Sequence, residues 1–303
     1  MARAEFSERH YELAINIELV RESNRYFVPS QNEEADLGYD IALVPALPPL
    51  WASLTEGLAG VGSGGDSRVP RATSLFLQYK QPEHISNRNG NEAEERSSLG
   101  ADSDVPYYRF KLPKDQLEVL LDLEETVAGD AAVCYAAGVF HRRADFYRNK
   151  AALTVAENST FLRLEKVRTE LLDMELNPAA LTDDHSWTYD EGGGNGLLCS
   201  EPRRVEGWPL ERLRSDLRAR AAEAEPLEGH VGRLASGVAA WRDRWQEPEL
   251  QKRLPVRKDE EVRGLEYMPR QIEEPSKVLQ AQQFLDSLGI GWFLAIPARR
   301  RDA

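Results

Sequence analysis

The spacing of apolar positions changes several times along this chain, and each change predicts an element. In residues 7–23 (SERHYELAINIELVRES), Leu13, Ile17 and Val20 recur at helical spacing behind Ser7, a suitable N-cap, which predicts an amphipathic first helix. YFVPS at 26–30 and GYDIALVP at 38–45 are short runs of aromatic and branched residues that read as strands. The Gly- and Ser-rich stretch 52–70 predicts a flexible excursion, and TSLFLQYK at 73–80 a strong strand. Residues 82–106 hold almost no large apolar side chain and predict a mobile loop. PKDQLEVLLDLEETV at 113–127 predicts a helix that buries Leu117, Leu120, Leu121 and Leu123, and uncharged AAVCYAAGVF at 131–140 predicts a buried strand.

Past residue 140 the pattern predicts mostly helix, in FYRNKAAL, LEKVRTELLDMEL, 208–222, 226–246 and 275–288, with a Gly-rich loop around EGGGNG at 191–196. Leu227, Val231, Leu234, Val238, Trp241 and Trp245 form one continuous stripe, expected to pack on its own domain rather than on a partner. GWFLAIPA at 291–298 predicts a closing strand that returns to the main sheet, and no internal repeat is present. The helix, three strands, helix and strand of the first half give an α/β class with a mixed sheet. The expected division is a core over 1–165 and a largely helical C-terminal region over 166–303.

Composition narrows the class. With 41% hydrophobic and 29% charged residues the chain is an ordinary globular protein. No apolar run approaches the roughly 20 residues that span a bilayer, and MARAEFSERHYEL lacks the apolar stretch of a secretory signal, so the expectation is no membrane and a cytoplasmic location. Cys134 and Cys199 sit in no CxxC or Cys/His pattern, which removes zinc and disulfide frameworks. A formal charge of −13 opposes phosphate binding by the surface as a whole, so a nucleic-acid function must rest on a local basic patch, metal ions or a partner protein.

Residues two apart on a strand project to the same side, so Gln78 and Lys80 share a face while Tyr79 points the other way. If the strand carrying Asp40 lies alongside, its carboxylate faces the Gln78 amide oxygen and the Lys80 ammonium. Metal-dependent phosphodiester cleavage needs such a set: hard oxygen ligands for Mg²⁺ or Mn²⁺, and a cation beside the attacked phosphate.

GYD in one strand, LQYK in the next and a preceding helix bearing Glu12 resemble the Asp-to-QxK variant of the PD-(D/E)XK nuclease superfamily, as in Mrr-like restriction enzymes. The resemblance covers roughly the first half of the chain, whose helix and strand order matches the restriction-endonuclease-like αβββαβ core. It implies that Asp40 is the central metal ligand and that Gln78 and the Tyr79 backbone carbonyl complete the inner site. Lys80 would orient or activate the water, and Glu12 would support a metal. Gln78 stands where Glu or Asp is usual, which leaves one less negative charge to hold the cation. Glu18 lies on the same helix as Glu12, about 600° further round, so at most one of the two faces the site, and Glu12 is preferred.

FHRRADFYRNK at 140–150 interleaves basic and aromatic residues after the last core strand, and His141, Arg142, Arg143, Arg148 and Lys150 are the candidates to grip phosphates. No nucleophile motif accompanies His141, and neither Gly-rich stretch carries the Lys-Ser/Thr of a phosphate loop. The expected function is a Mg²⁺- or Mn²⁺-dependent endonuclease, acting on DNA and serving in antiphage defence, with a protein partner or a second copy of the chain. The alternative is a catalytically silent, nuclease-like scaffold or interaction subunit that binds its partner through the 226–246 helix.

Overall fold

The computed structural model describes residues 2–26, 41–45, 73–86, 105–173, 185–194, 196–199, 203–224, 227–245 and 290–297, together with positions 97, 253, 280–281, 284–285 and 288. The described elements are, in chain order, β1 (Ala2–Arg3), α1 (Glu8–Tyr26), β2 (Ile41–Pro45), β3 (Thr73–Lys80), β4 (Glu83–Ile85) and β5 (Tyr107–Leu112). α2 (Lys114–Thr126), β6 (Ala131–Gly138), α3 (Arg143–Ala152), β7 (Ser159–Arg163) and α4 (Leu164–Asp173) follow. The chain continues with β8 (His185–Tyr189), β9 (Leu197–Cys199), β10 (Arg203–Arg204), α5 (Leu210–Glu223), α6 (Leu227–Trp245) and β11 (Ile290–Pro297).

The architecture is mixed α/β with two sheets. One, ordered β2-β11-β3-β6-β7, is mixed: β3 and β6 run parallel and the other pairs are antiparallel. The other, β1-β4-β5-β8-β9-β10, is antiparallel throughout. All eight residues of β3 and all eight of β6 are buried, as the uncharged run of β6 predicts. Their alternation separates two cores. Leu75, Leu77, Tyr79, Ala132, Cys134 and Ala136 pack with α1 and α5. Phe76, Val133, Tyr135 and Ala137 pack with α2, α4, α6 and the antiparallel sheet.

Several expectations need correction. The buried side of α1 is Tyr11, Ala14, Ile15, Glu18 and Leu19, while Leu13 and Ile17 are 52% and 45% exposed. Both sets have helical spacing, but only the former carries the aromatic ring that seats between Phe6, Tyr79 and Phe140. β4 lies inside the stretch expected to be a loop, β5 follows it, and β7 to β10 stand in a region expected to be mainly helical. These strands are two to six residues long, too short for a period-two pattern to declare itself. YFVPS does not begin a strand at Tyr26, where α1 ends, and its remaining residues lie outside those described.

The closing strand does return to the main sheet, and it changes the topology around it. β11 is inserted between β2 and β3, antiparallel to both, so those two strands are not neighbours as expected. Ala295 pairs with Leu43 on one side and Thr73 on the other, while Ile290 pairs with Gln78. The start of β2 therefore lies at the start of β3, and Gln78 and Lys80 occupy the opposite end. Both halves of the chain contribute to both sheets. The apolar stripe of α6 faces inward, as expected: Val231, Leu234, Val238 and Trp241 are buried, and the Trp241 indole N–H donates to the Val119 carbonyl at 3.2 Å. These four positions are closed to a partner.

Candidate functional site

At the C-terminal end of β3, Gln78 and Lys80 point toward the α2 side of the sheet, and Tyr79 points toward α1, as strand alternation requires. Gln78 is 2% exposed, and its Oε1 accepts no hydrogen bond among the described residues. Its direct partner on the parallel strand is Tyr135, whose hydroxyl is likewise buried and without a partner among them. The Lys80 ammonium donates to Gln116 Oε1 and stands 5.1 Å from the centroid of the Tyr135 ring. Gln116 is free for this because of its place in α2. At the third helical position a glutamine commonly reaches back to the N-cap amide, but the N-cap here is Pro113, which has no N–H to give.

Burial dominates the chemistry of Lys80. It lowers the amine to about 8 from an ordinary 10.5, and the Glu8 carboxylate at the start of α1 opposes the shift. Burial also raises the Tyr135 phenol well above its usual range. Lys80 is thus a lysine that exchanges its proton near neutral pH, held by an amide oxygen and a ring face.

The other candidates fall in different places. Asp40 lies outside the described residues; Ile41, which follows it, opens β2 at the far end of the sheet from Gln78. Glu12 is half-buried on α1, which packs on the Tyr79 side; the Tyr79 hydroxyl donates to Asn16 Oδ1, one turn further along the flank of Glu12. Glu18 is engaged elsewhere: its carboxylate accepts the Val155 and Ala156 backbone N–H groups at 3.0 and 2.8 Å. Among the described residues no group of three or more His, Cys, Asp and Glu side chains is arranged to hold a metal.

Arg142, Arg143, Arg148 and Lys150 are all exposed around α3, with Arg148 paired to Asp145 at 3.1 Å. His141 leads into this segment and stacks on His84. Sequence reasoning missed Gln116, Tyr135, Glu8 and His84. For Tyr135 a signal was present, a phenol in a strand of small residues whose hydroxyl needs a partner. Gln116 gives no such sign, since its role comes from a missing amide one turn before it.

Ser74, His230 and Asp130 form a second polar group with the outline of a hydrolytic triad. The Ser74 hydroxyl lies 3.0 Å from His230 Nε2 and accepts the Trp292 indole N–H at 3.1 Å. His230 Nδ1 is 3.8 Å from Asp130, beyond hydrogen-bond reach. Ser74 and His230 are both fully buried, so no substrate carbonyl can reach the hydroxyl.

The chain matches no family model, no curated protein and no solved structure.

Proposed function

We propose that the protein is a Mg²⁺- or Mn²⁺-dependent nuclease of the PD-(D/E)XK type, acting on DNA, with its site at the C-terminal end of β3. The observation that carries this reading is the Gln78 amide oxygen, buried without a partner among the described residues beside the buried Lys80. A buried acceptor left without a donor costs about 1–3 kcal/mol, so it calls for an explanation, and a ligand oxygen is the one this reading gives it. Parallel strands also direct ligands to their C-terminal ends, which is where β3 and β6 bring these residues.

A neutral, hard oxygen of this kind fits a divalent cation. The resemblance adds Asp40, the Tyr79 carbonyl and Glu12 as ligands, although Ile41, which follows Asp40, opens β2 at the far end of the sheet from Gln78 and α1 packs on the opposite face, so Asp40→Ala and Glu12→Ala test that assignment directly. Such an ion, when bound, polarises the scissile phosphate and lowers the pKa of a water. Lys80, held by Gln116 and with its pKa lowered to about 8, accepts or returns a proton beside the attacked phosphate. A role in antiphage defence accords with the superfamily.

The decisive experiment is metal-dependent cleavage of plasmid, linear and single-stranded DNA by the wild type, Lys80→Ala and Asp40→Ala. Loss of cleavage in both variants is expected, and equal activity in all three removes the mechanism. The second reading, a silent scaffold or interaction subunit, draws on the place of β11 between β2 and β3 and on the charge of −13. It predicts no heat of Mn²⁺ binding in a calorimetric titration and a stable complex recovered from the native host.

A further inference from the structure

Directly paired positions of three neighbouring antiparallel strands carry His84 on β4, Tyr108 on β5 and Tyr189 on β8. Side chains opposite each other in a ladder lie on one face and touch, so these rings make a column. Tyr189 stacks on Trp187 with centroids 4.8 Å apart, Tyr108 stacks on Tyr189 at 5.5 Å, and His84 leans on Tyr108 at 5.2 Å. His141, from the segment after β6, completes it, lying parallel to His84 at 4.1 Å with 2° between the ring planes. The column is buried at Trp187, Tyr189 and Tyr108 and emerges half-buried at the two imidazoles. The His141 backbone is fixed as well, since its carbonyl accepts the Glu5 N–H at 2.8 Å.

We propose that the His84–His141 pair, backed by Tyr108, is a stacking platform for an unpaired base of single-stranded nucleic acid. This rests on the nuclease reading above and adds to it the form of the substrate. Each base has a π-face, and aromatic side chains beside basic residues are how proteins hold single strands without reading sequence. The basic residues follow in the chain: Arg142 and Arg143 come directly after His141, and Arg148 and Lys150 lie exposed further along α3. Acids are equally near, because Glu5, Asp145 and Glu191 all act on the His141 ring. The local charge is therefore close to balanced, and stacking rather than phosphate attraction must supply most of the affinity. Burial holds both imidazoles below their ordinary pKa, with His141 adding to the shift at His84 and Arg142 to the shift at His141.

Binding of a 2-aminopurine-labelled single strand, measured with Ca²⁺ in place of Mg²⁺, tests the proposal. The wild type is expected to quench the probe. His141→Ala should weaken binding by about 5- to 100-fold with the salt dependence unchanged, and His141→Phe should restore it. His84→Ala should weaken binding similarly. Equal affinity in the wild type and both alanine variants, or a loss that His141→Phe does not repair, overturns the platform. Quenching that depends on His141 in a protein that cleaves nothing with Mn²⁺ refutes the nuclease reading and leaves the platform standing. Cleavage with binding indifferent to both histidines does the reverse.

Discussion

At the N-terminal end of β3 the Ser74 hydroxyl sits between the Trp292 N–H and His230, and Asp130 is held by Arg233 at 2.8 and 3.0 Å. At the C-terminal end of the same strand, on the same face, Lys80 is bound to Gln116 while Gln78 Oε1 and the Tyr135 hydroxyl lack partners among the described residues. Both clusters bury polar atoms, but the Ser74 hydroxyl closes the first with two partners, although His230 Nδ1 comes no nearer than 3.8 Å to Asp130, while the Gln78 and Tyr135 oxygens leave the second open to a further donor or cation. A satisfied buried network rigidifies a core, and an unsatisfied one costs free energy that a bound ion, water or ligand group returns. On the proposed reading the closed end is structural and the open end chemical, although the closed end is the one that looks like a triad.

The largest effect that sharpens this comparison is on catalysis. Lys80→Met keeps the side-chain stem and removes the amine, and cleavage should fall by at least about 100-fold while the urea midpoint holds or rises. Next in size, His230→Ala opens a cavity at the closed end and should cost about 3 kcal/mol in urea unfolding, with activity per folded molecule unchanged. The comparison breaks if Gln78→Leu destabilises as much as His230→Ala, because an open cluster loses little when its orphaned oxygen is removed.

The pH dependence of stability follows from Lys80. Its amine sits near 8 in the folded chain against 10.5 in the unfolded one, so between these values the unfolded state binds the extra proton and stability rises with pH. Measured in metal-free buffer as wild type minus Lys80→Met, the gain should be about 2 kcal/mol between about pH 8 and 10. The subtraction cancels the opposite trend of the buried Cys134 thiol, which burial pushes up to about 12. A flat difference curve would mean that Lys80 is solvated.

The smallest effect separates the two glutamates of α1. Glu18→Ala leaves the Val155 and Ala156 N–H groups without their acceptor and should cost about 2 kcal/mol by thermal unfolding. Glu12→Ala should change stability by less than about 0.5 kcal/mol and act on metal-dependent cleavage instead. Equal destabilisation by the two would return the choice between them to the start.

Long elements were legible because each repeats its signal. β3, α2, α5, α6 and β11 lie within a residue or two of where periodicity puts them, and the inward stripe of α6 packs as expected. β4, β5 and the strands from β7 to β10 were not, since pairing with distant partners, rather than local pattern, makes a two- to six-residue segment a strand. The same limit affected α1, where two helical stripes compete and contact with Tyr79 and Phe140 selects one.

For the site, strand alternation by itself determined that Gln78 and Lys80 share a face and Tyr79 opposes them, because a period of two is covalent geometry. Tertiary structure alone decided what that face meets. The chain closes back through β11 to part β2 from β3, α2 brings Gln116 to Lys80, and the register of β4, β5 and β8 lines up His84, Tyr108 and Tyr189. Each of these is a contact between residues far apart in sequence, set by how sheets and helices share a core, and no local pattern encodes it.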